Sequence, residues 1–192
     1  MRGKRDTRKR ILDSAIAVFG AKSFHKATVR DIARGAGLGI GTIYSYFPSK
    51  EAVLLVLIAD GFAELSEILR RSIEGIDSPL EKLRKFTWTF LGFFEENRSF
   101  GCIVYLVMPI KEWSEAESFH AMREPQRILV RIVREGQERG FFRQDIDLNV
   151  LVYTYFGGLG RIIAHREIDL DQPSLLAYFP DFYEITLRGI AD

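Results

Sequence analysis

The sequence is poor in the residues that build disulfide and metal sites. It has one cysteine, Cys102, so no internal disulfide can form. The three histidines, His25, His120 and His165, are scattered and share no metal-ligand spacing with that cysteine. We therefore expect no metal site and no bound cofactor, and the reducing cytoplasm is the expected compartment.

Long apolar stretches are also missing. The longest runs, 52–59 and 102–110, are well short of the roughly 20 residues that a membrane-spanning helix needs. The basic N-terminus has no apolar segment behind it, so we expect no secretory signal. It also lacks the large apolar moment of a helix that lies on a membrane surface. A soluble intracellular protein that binds no membrane is expected.

Catalytic motifs are absent as well. There is no Ser/His/Asp order, no Glu-x-x-His pair and no P-loop. The glycines within 37–41 do not follow a strand, which excludes the dinucleotide-binding motif. We therefore do not expect an enzyme, and no residue is predicted to be catalytic.

The net charge of +1 over 192 residues is the sum of two regions with opposite net charges. Residues 1–50 carry 11 basic and 3 acidic side chains, a net charge of +8, whereas the other 142 carry 16 basic and 23 acidic ones, a net charge of −7. Such an asymmetry indicates that the basic part binds nucleic acid or a membrane surface. The run from Arg2 to Arg10 is either a solvated tail or an arm that contacts phosphate or the minor groove.

Apolar residues recur at helical spacing almost throughout and strand patterns are scarce, so the predicted fold is all-α. The predicted helices cover about 7–20, 28–36, 40–46, 50–73, 79–97, 101–112, 116–139, 147–166 and 173–190. Pro125 and Pro180 lie inside two of these segments. Each proline implies a kink or a break, and the sequence does not decide between them.

Residues 28–47 have the pattern of a helix-turn-helix. Thr28 and Asp31 fit a capping box at the start of one short helix, and glycines after it allow a tight turn before a second. Ile43 and Phe47 can anchor the second helix on a core. Its hydroxyl side chains are then left to face phosphate oxygens and base edges. Gly41 would let the backbone of this helix approach DNA closely.

Three stretches match a known family signature. They are Thr28-Val29-Arg30-Asp31-Ile32-Ala33, Ala36-Gly37-Leu38, and Gly41-Thr42-Ile43-Tyr44-Ser45-Tyr46-Phe47-Pro48-Ser49-Lys50-Glu51. Over about residues 7–55 the chain strongly resembles the TetR-family transcriptional regulators. The resemblance implies a homodimer whose first three helices bind double-stranded operator DNA. It also implies a C-terminal helical domain that binds a small molecule and dimerises through its last two helices.

The resemblance also implies roles for single residues. By position, Arg30 and Thr42 are expected to contact bases or backbone, and Tyr44 and Lys50 to contact phosphate. Tyr46 stands where the family often has histidine, a departure expected to affect sequence preference. The predicted DNA-binding set is Thr28, Arg30, Gly41, Thr42, Tyr44, Ser45, Tyr46 and Lys50. The expected domains are 5–65, which binds DNA and includes the start of a linking helix, and 66–192, which binds the effector and dimerises.

Aromatic residues are concentrated in 86–113, where they either form a packed core or line an apolar cavity. Tyrosine and tryptophan offer a polar group on an apolar ring, and methionine adapts to irregular ligands. These residue types favour a lipophilic or aromatic effector. The candidate ligand-binding residues are Trp88, Tyr105, Met108, Trp113, Met122 and Tyr155.

Three glycines, at 157, 158 and 160, interrupt an otherwise apolar helix, where each costs about 1 kcal/mol relative to alanine. Close helix–helix approach would explain them, either within the chain or across a two-fold four-helix interface. The residues predicted for the second alternative are Tyr153, Phe156, Gly157, Gly160, Phe182 and Ile185.

Together these features predict a ligand-responsive, DNA-binding transcriptional regulator. We expect a repressor that a small lipophilic or aromatic effector releases from a palindromic operator. The alternative is an architectural DNA-binding protein that needs no effector.

Overall fold

The computed structural model describes residues 2–22, 24–107, 118–168 and 173–191, and most of them are helical. The elements are α1 (Arg2–Ala21), α2 (Val29–Ala36), α3 (Ile40–Tyr46), α4 (Lys50–Ile73), α5 (Pro79–Glu96), α6 (Arg98–Val107), α7 (Ser118–Met122), α8 (Glu124–Glu138), α9 (Leu148–Ile168), a 3₁₀-helix (Leu175–Tyr178) and α10 (Phe179–Ile190). These residues contain no strand, only one isolated bridge between Phe142 and Ala191. The all-α prediction is confirmed.

Pro125 and Pro180 both break the chain into separate helices. Each stands in the first turn of a new helix, Pro125 in α8 and Pro180 in α10. Proline is tolerated there because the first turn leaves its backbone nitrogens without helical partners. The predicted helix 116–139 is therefore divided at Arg123, and a 3₁₀-helix comes before α10.

Helix α1 begins at Arg2, well before the predicted start at residue 7. Lysine and arginine are good helix formers, and two of the arginines have partners on other elements. Arg8 pairs with Asp60 of α4 at 3.1 Å, and Arg10 donates to the Ala36 carbonyl oxygen at 2.7 Å. The basic run is thus helical, with residues 3–10 exposed except the half-buried Thr7, and its contact with DNA stays a prediction.

Helices α1, α2 and α3 form a compact N-terminal unit, here called the headpiece. The Ser14 hydroxyl of α1 donates to the Ile32 carbonyl oxygen of α2 at 2.8 Å. A Cβ at Gly35 would lie only 2.3 Å from that hydroxyl, so the two helices approach closely because residue 35 is glycine. Ile43 and Phe47 are buried and fix α3 on this core, as predicted.

Helix α4 runs without interruption from the headpiece into the body, which is formed by α5 to α10. The expected domain boundary at 65/66 falls inside this helix. The buried residues of headpiece and body belong to one continuous cluster. At Gly61 a Cβ would lie 2.4 Å from the Phe100 ring, so α4 and α6 also approach closely. Helix α4 therefore connects the headpiece to the body as one continuous element.

Candidate nucleic-acid interface, body cavity and apolar face

A capping box begins α2, and a left-handed glycine ends it before α3. The Thr28 hydroxyl accepts from the Asp31 backbone N–H at 3.2 Å, and the Asp31 carboxylate accepts from the Thr28 N–H at 3.1 Å. Hydrogen bonds from Lys22 and Thr28 lower the pKa of Asp31 to about 2. Gly37 follows α2 with φ 63°, a conformation that favours glycine. The predicted capping box and turn are confirmed.

Helix α3 turns a polar surface outward. Tyr44 is 53% exposed, and Thr42 is half-exposed. A Cβ at Gly41 would meet no atom within 4 Å, so the backbone there is open to close approach. On α2, Arg30 is exposed, and its guanidinium has no hydrogen bond or ion pair within the described part of the chain. These side chains suit contacts with phosphates and base edges.

Three other residues of the predicted DNA-binding set already have partners inside the headpiece. Thr28 donates its only hydroxyl proton to the Asp31 carboxylate at 2.8 Å, and Ser45 donates to the Thr42 carbonyl oxygen at 2.7 Å. Tyr46 is half-buried and packs against the core. Their contacts with DNA stay predictions, and the structure shows a local structural role for each.

Ile40 is missing from the predicted set, although it is 42% exposed in the first turn of α3. It stands four residues before Tyr44 and therefore shares its helical face. An exposed apolar side chain at this place suits the methyl group of thymine. The sequence could have indicated this residue, because burying Ile43 and Phe47 on the core places Ile40 on the exposed side of α3.

Lys50, predicted to contact phosphate, binds the loop between α1 and α2. Its ammonium donates to the carbonyl oxygens of Phe24 at 2.9 Å and Ala27 at 3.1 Å, and it lies 4.5 Å from the centre of the Phe24 ring. An ammonium has three N–H donors. Only the third remains for a phosphate, so the main role of Lys50 in this structure is to hold the headpiece loop on α4.

Replacing Lys50 by methionine is expected to lower the free energy of unfolding by about 2 kcal/mol, because two charge-assisted hydrogen bonds are lost while the alkyl chain remains. Urea unfolding followed by circular dichroism measures the change. Lys26→Met, at an exposed lysine, is the control and should cost less than about 0.5 kcal/mol. Equal stability of the two variants would contradict this role of Lys50 in holding the headpiece loop.

The body contains an open cavity of about 480 Å³. Its lining comes from α4 to α9 and is mainly aromatic and aliphatic. The lining residues are Phe62, Phe90, Val104, Tyr105, Met122, Gln126, Tyr153 and Phe156. Burial raises the pKa of Tyr105, so its hydroxyl stays protonated and can donate. A mostly apolar wall with a few polar groups is typical of a small-molecule site.

Two of the candidate ligand residues, Tyr105 and Met122, lie in this cavity, and two do not. Trp88 is 44% exposed and packs edge-on against Phe179 at 5.2 Å, outside the cavity. Tyr155 is buried, with its hydroxyl bonded to that of Thr87. The structure thus places Trp88 and Tyr155 outside this cavity, with Tyr155 at the groove between α9 and α10, and their ligand contacts stay predictions. Met108 and Trp113 lie outside the described residues.

Two larger clefts border the headpiece, and both have strongly charged walls. One, of about 560 Å³, lies where α1 meets α4, with Arg8, Asp60 and Glu64 among its lining. The other, of about 640 Å³, lies between α1 and α2 and includes Arg34 and Asp31. Burying a lipophilic ligand against these ionic groups would remove them from water at a cost. The cavity in the body is the better lipophilic site.

Helices α9 and α10 leave an apolar face uncovered, with a groove of about 420 Å³ between them. Val150 is 58% exposed and Ile185 73% exposed on this face. Gly157 is also exposed, and a Cβ there would meet no atom within 4 Å. A glycine within a helix costs about 1 kcal/mol relative to alanine, and no neighbour in the described part of the chain requires this one.

The other two glycines of α9 allow close packing inside the chain. A Cβ at Gly158 would lie 2.7 Å from the Phe182 ring, and one at Gly160 would lie 2.9 Å from the Tyr105 ring. Gly160 thus has a role inside the chain, and its contact across a dimer interface stays a prediction. Phe182 is half-buried but also lines the groove of the apolar face.

Two aromatic residues of the predicted interface belong to the cavity. Phe156 packs edge-on against Phe86 and Phe90 and lines the cavity, so its place in a dimer interface stays a prediction. Tyr153 also lines the cavity but is 63% exposed, which places it at the rim.

Two further structural findings bear on function. Within the described ranges, no group of three or more histidine, cysteine, aspartate or glutamate side chains is placed to hold a metal ion. In the same ranges, no helix has the length and apolar character to cross a membrane.

Comparison with known proteins agrees with this architecture. The signature described as bacterial regulatory proteins, tetR family, matches residues 11–57. The transcriptional repressor KstR2 of Mycolicibacterium smegmatis is 32% identical over 154 residues, 77% of this chain and 73% of that protein. The fatty acid degradation regulator FadR of Bacillus halodurans superposes with a TM-score of 0.85 at 24% identity, covering 95% of both chains.

A third relative was solved with a ligand. FadR of Thermus thermophilus, a TetR-family transcriptional repressor in complex with lauroyl-CoA, has a TM-score of 0.68 and 25% identity, covering 95% of this chain and 94% of that one. The match at 11–57 covers most of the headpiece and the start of α4, and the superpositions extend over the body. The chain therefore belongs to the tetR family of bacterial regulatory proteins and is a DNA-binding transcriptional regulator.

Proposed function

We propose that the protein is a homodimeric repressor that binds a palindromic operator through α3 and leaves it when an acyl-chain effector enters the body cavity. The observation that carries this proposal is the path of α4. This helix begins at Lys50, next to the headpiece loop, and contributes Phe62 to the cavity. One rigid element thus joins the two proposed sites.

The proposed DNA contact uses the exposed side chains of the headpiece. Tyr44, Thr42 and the open backbone at Gly41 would enter the major groove, with Arg30 on the flanking backbone or bases. The net charge of +8 on residues 1–50 favours the approach to phosphate. In a two-fold dimer, the two α3 helices would read half-sites about 34–36 Å apart, or a multiple of that spacing.

The proposed effector class follows from the cavity and from a relative. The lining offers apolar surface with few polar groups, and the Thermus thermophilus repressor was solved with lauroyl-CoA. A long acyl chain would gain about 0.8 kcal/mol for each methylene that it buries. The proposed domains are 5–65, which binds DNA, and 66–192, which binds the effector and dimerises. All the listed lining residues of the cavity except Phe62 lie in the second domain.

Effector binding would reach the headpiece through α4 and α6. Tyr105 of α6 lines the cavity, and the start of α6 touches both α1 and α4. A Cβ at Gly20 would lie 3.0 Å from Ser99, and one at Gly61 would lie 2.4 Å from Phe100. Such tight contacts transmit a shift of α6 instead of absorbing it. A coupling of about 1–3 kcal/mol is enough for regulation.

The DNA-binding part of the proposal is tested with a duplex that the protein itself enriches from a random pool. In fluorescence anisotropy, Arg30→Ala and Tyr44→Phe are each expected to weaken binding by about tenfold, since each removes a contact worth about 1–3 kcal/mol. Arg84→Ala, at an exposed arginine of the body, is the control and should bind like the wild type. Wild-type affinity in both headpiece variants would overturn the contact assignment.

A further inference from the structure

We propose that Arg10 and Ser14 of α1 are positioning residues that set operator specificity by holding the backbone of α2, and that Arg10 acts in this way and not by contacting phosphate. The surface that they position, here called the reading surface, consists of the exposed side chains of α2 and α3, with Arg30 and Tyr44 among them. This inference rests on the DNA contact proposed for the reading surface and adds two residues that act on it from α1.

Two side chains of α1 donate hydrogen bonds to backbone carbonyl oxygens of α2. The Ser14 hydroxyl donates to the Ile32 oxygen at 2.8 Å. The Arg10 guanidinium donates to the Ala36 oxygen at 2.7 Å. The two donors are four residues apart on α1 and the two acceptors four residues apart on α2, about one helical turn in each case. Bonds with this spacing limit both the sliding of α2 along α1 and the rotation of one helix against the other.

The Arg10 bond lies at the end of α2, where the turn to α3 begins. The carbonyl groups of a last helical turn have no backbone partner within the helix, so the Ala36 oxygen is free to accept from a side chain. The same guanidinium nitrogen lies 3.5 Å from the Gly37 oxygen, and a Cβ at Gly37 would lie 3.4 Å from it. Only residues 37–39 separate α2 from α3. A shift of this turn therefore moves α3 and, with it, Tyr44.

Ser14 can act on DNA only through the protein. It is uncharged and 8% exposed, and its hydroxyl is in close contact with Gly35 of α2. Arg10 differs from it, because it is exposed and belongs to the basic run, so its charge by itself indicates a phosphate contact. The hydrogen bonds place it instead in the same role as Ser14, one turn away on α1.

The test compares two duplexes by fluorescence anisotropy, the selected duplex and a scrambled one of the same length and composition. Arg10→Gln is expected to weaken binding to the selected duplex about tenfold, since a charge-assisted hydrogen bond to the turn is lost. Its binding to the scrambled duplex should weaken less than about twofold, and its salt slope should be that of the wild type. Ser14→Ala is expected to weaken binding to the selected duplex alone, by about threefold, without any change of charge.

Arg5→Gln is the matched control. Arg5 is also an exposed arginine of α1, and it has no hydrogen bond or ion pair within the described residues. Any loss that its replacement causes should be equal on both duplexes. The ratio of the two affinities separates positioning from stability, because a variant that is only less stable but still folded keeps both affinities. Circular dichroism at the assay temperature shows whether each variant is folded.

Equal losses on both duplexes in Arg10→Gln, with a salt slope shallower by about one, would reveal a phosphate contact and overturn the inference. Wild-type affinity of folded Arg10→Gln, or of Ser14→Ala, for the selected duplex would also overturn it. If Arg10→Gln does not fold, Ser14→Ala decides alone. Tyr44→Phe is measured beside them. If it binds like the wild type while both α1 variants lose only the selected duplex, the proposed Tyr44 contact fails and the positioning role stands.

Discussion

A protein carrying Ile185→Glu is expected to be monomeric and to bind its operator about 100-fold more weakly than the wild type. Ile185 is 73% exposed on the apolar face of α9 and α10, at the groove that Val150 also lines. A two-fold contact would place both introduced carboxylates in an apolar interface, which is costly without partners. A monomer loses the effective concentration that links the two half-site contacts, commonly worth 10²–10⁴ in affinity.

Sedimentation velocity gives the oligomeric state, and anisotropy with the selected duplex gives the affinity. Ile68→Glu is the control, because Ile68 is also partly exposed but lies on α4, away from the apolar face. It should remain dimeric and bind DNA normally. A dimeric Ile185→Glu variant, or a monomer with wild-type operator affinity, would contradict the proposed interface.

Met122→Trp is expected to give a repressor that hardly responds to the effector. Met122 is half-buried and lines the cavity of about 480 Å³, so an indole there takes space that the acyl chain needs. Excluding three methylenes from the cavity would remove about 2.4 kcal/mol of binding, which is about 50-fold in the concentration of lauroyl-CoA needed for release. The headpiece is untouched, so the operator affinity without effector should stay that of the wild type.

Met122→Leu is the matched control, because leucine keeps a similar volume and the space for the ligand. The two variants are compared by titrating lauroyl-CoA into the complex of protein and fluorescent duplex. Release of Met122→Trp at the wild-type effector concentration would contradict an effector site in this cavity.

The headpiece could be predicted well from the sequence, because its signals are local. Thr28 and Asp31 form their capping box within four residues, and Gly37 ends α2 through its own backbone conformation. Ser49 caps α4, whose bounds, Lys50–Ile73, are as predicted. Each of these features depends on neighbours in the sequence and not on distant parts of the fold.

The body was harder to predict, because the role of a side chain there depends on which helix packs against it. Tyr155 and Phe156 show the problem, since a helix turns by about 100° from one residue to the next. Tyr155, predicted to bind ligand, is buried against Thr87, whereas Phe156, predicted for the dimer interface, lines the cavity. Trp88 and Phe90 differ in the same way, and only Phe90 lines the cavity.

The three glycines of α9 differ in their surroundings for a similar reason. Composition indicates close approach at this helix, but only the neighbours tell where it occurs. Gly158 and Gly160 make room for Phe182 and Tyr105 of the same chain. Gly157 faces outward into open space and is the glycine best placed for the predicted intermolecular contact.

The central claim, that a ligand in the body cavity controls the headpiece on α4, is tested most directly by one titration. Lauroyl-CoA is added to the preformed complex of the wild-type protein and its selected duplex, and the anisotropy of the labelled DNA is recorded. We predict a saturable fall to the value of free DNA. An unchanged anisotropy at lauroyl-CoA concentrations that saturate the protein in calorimetry would contradict the claim.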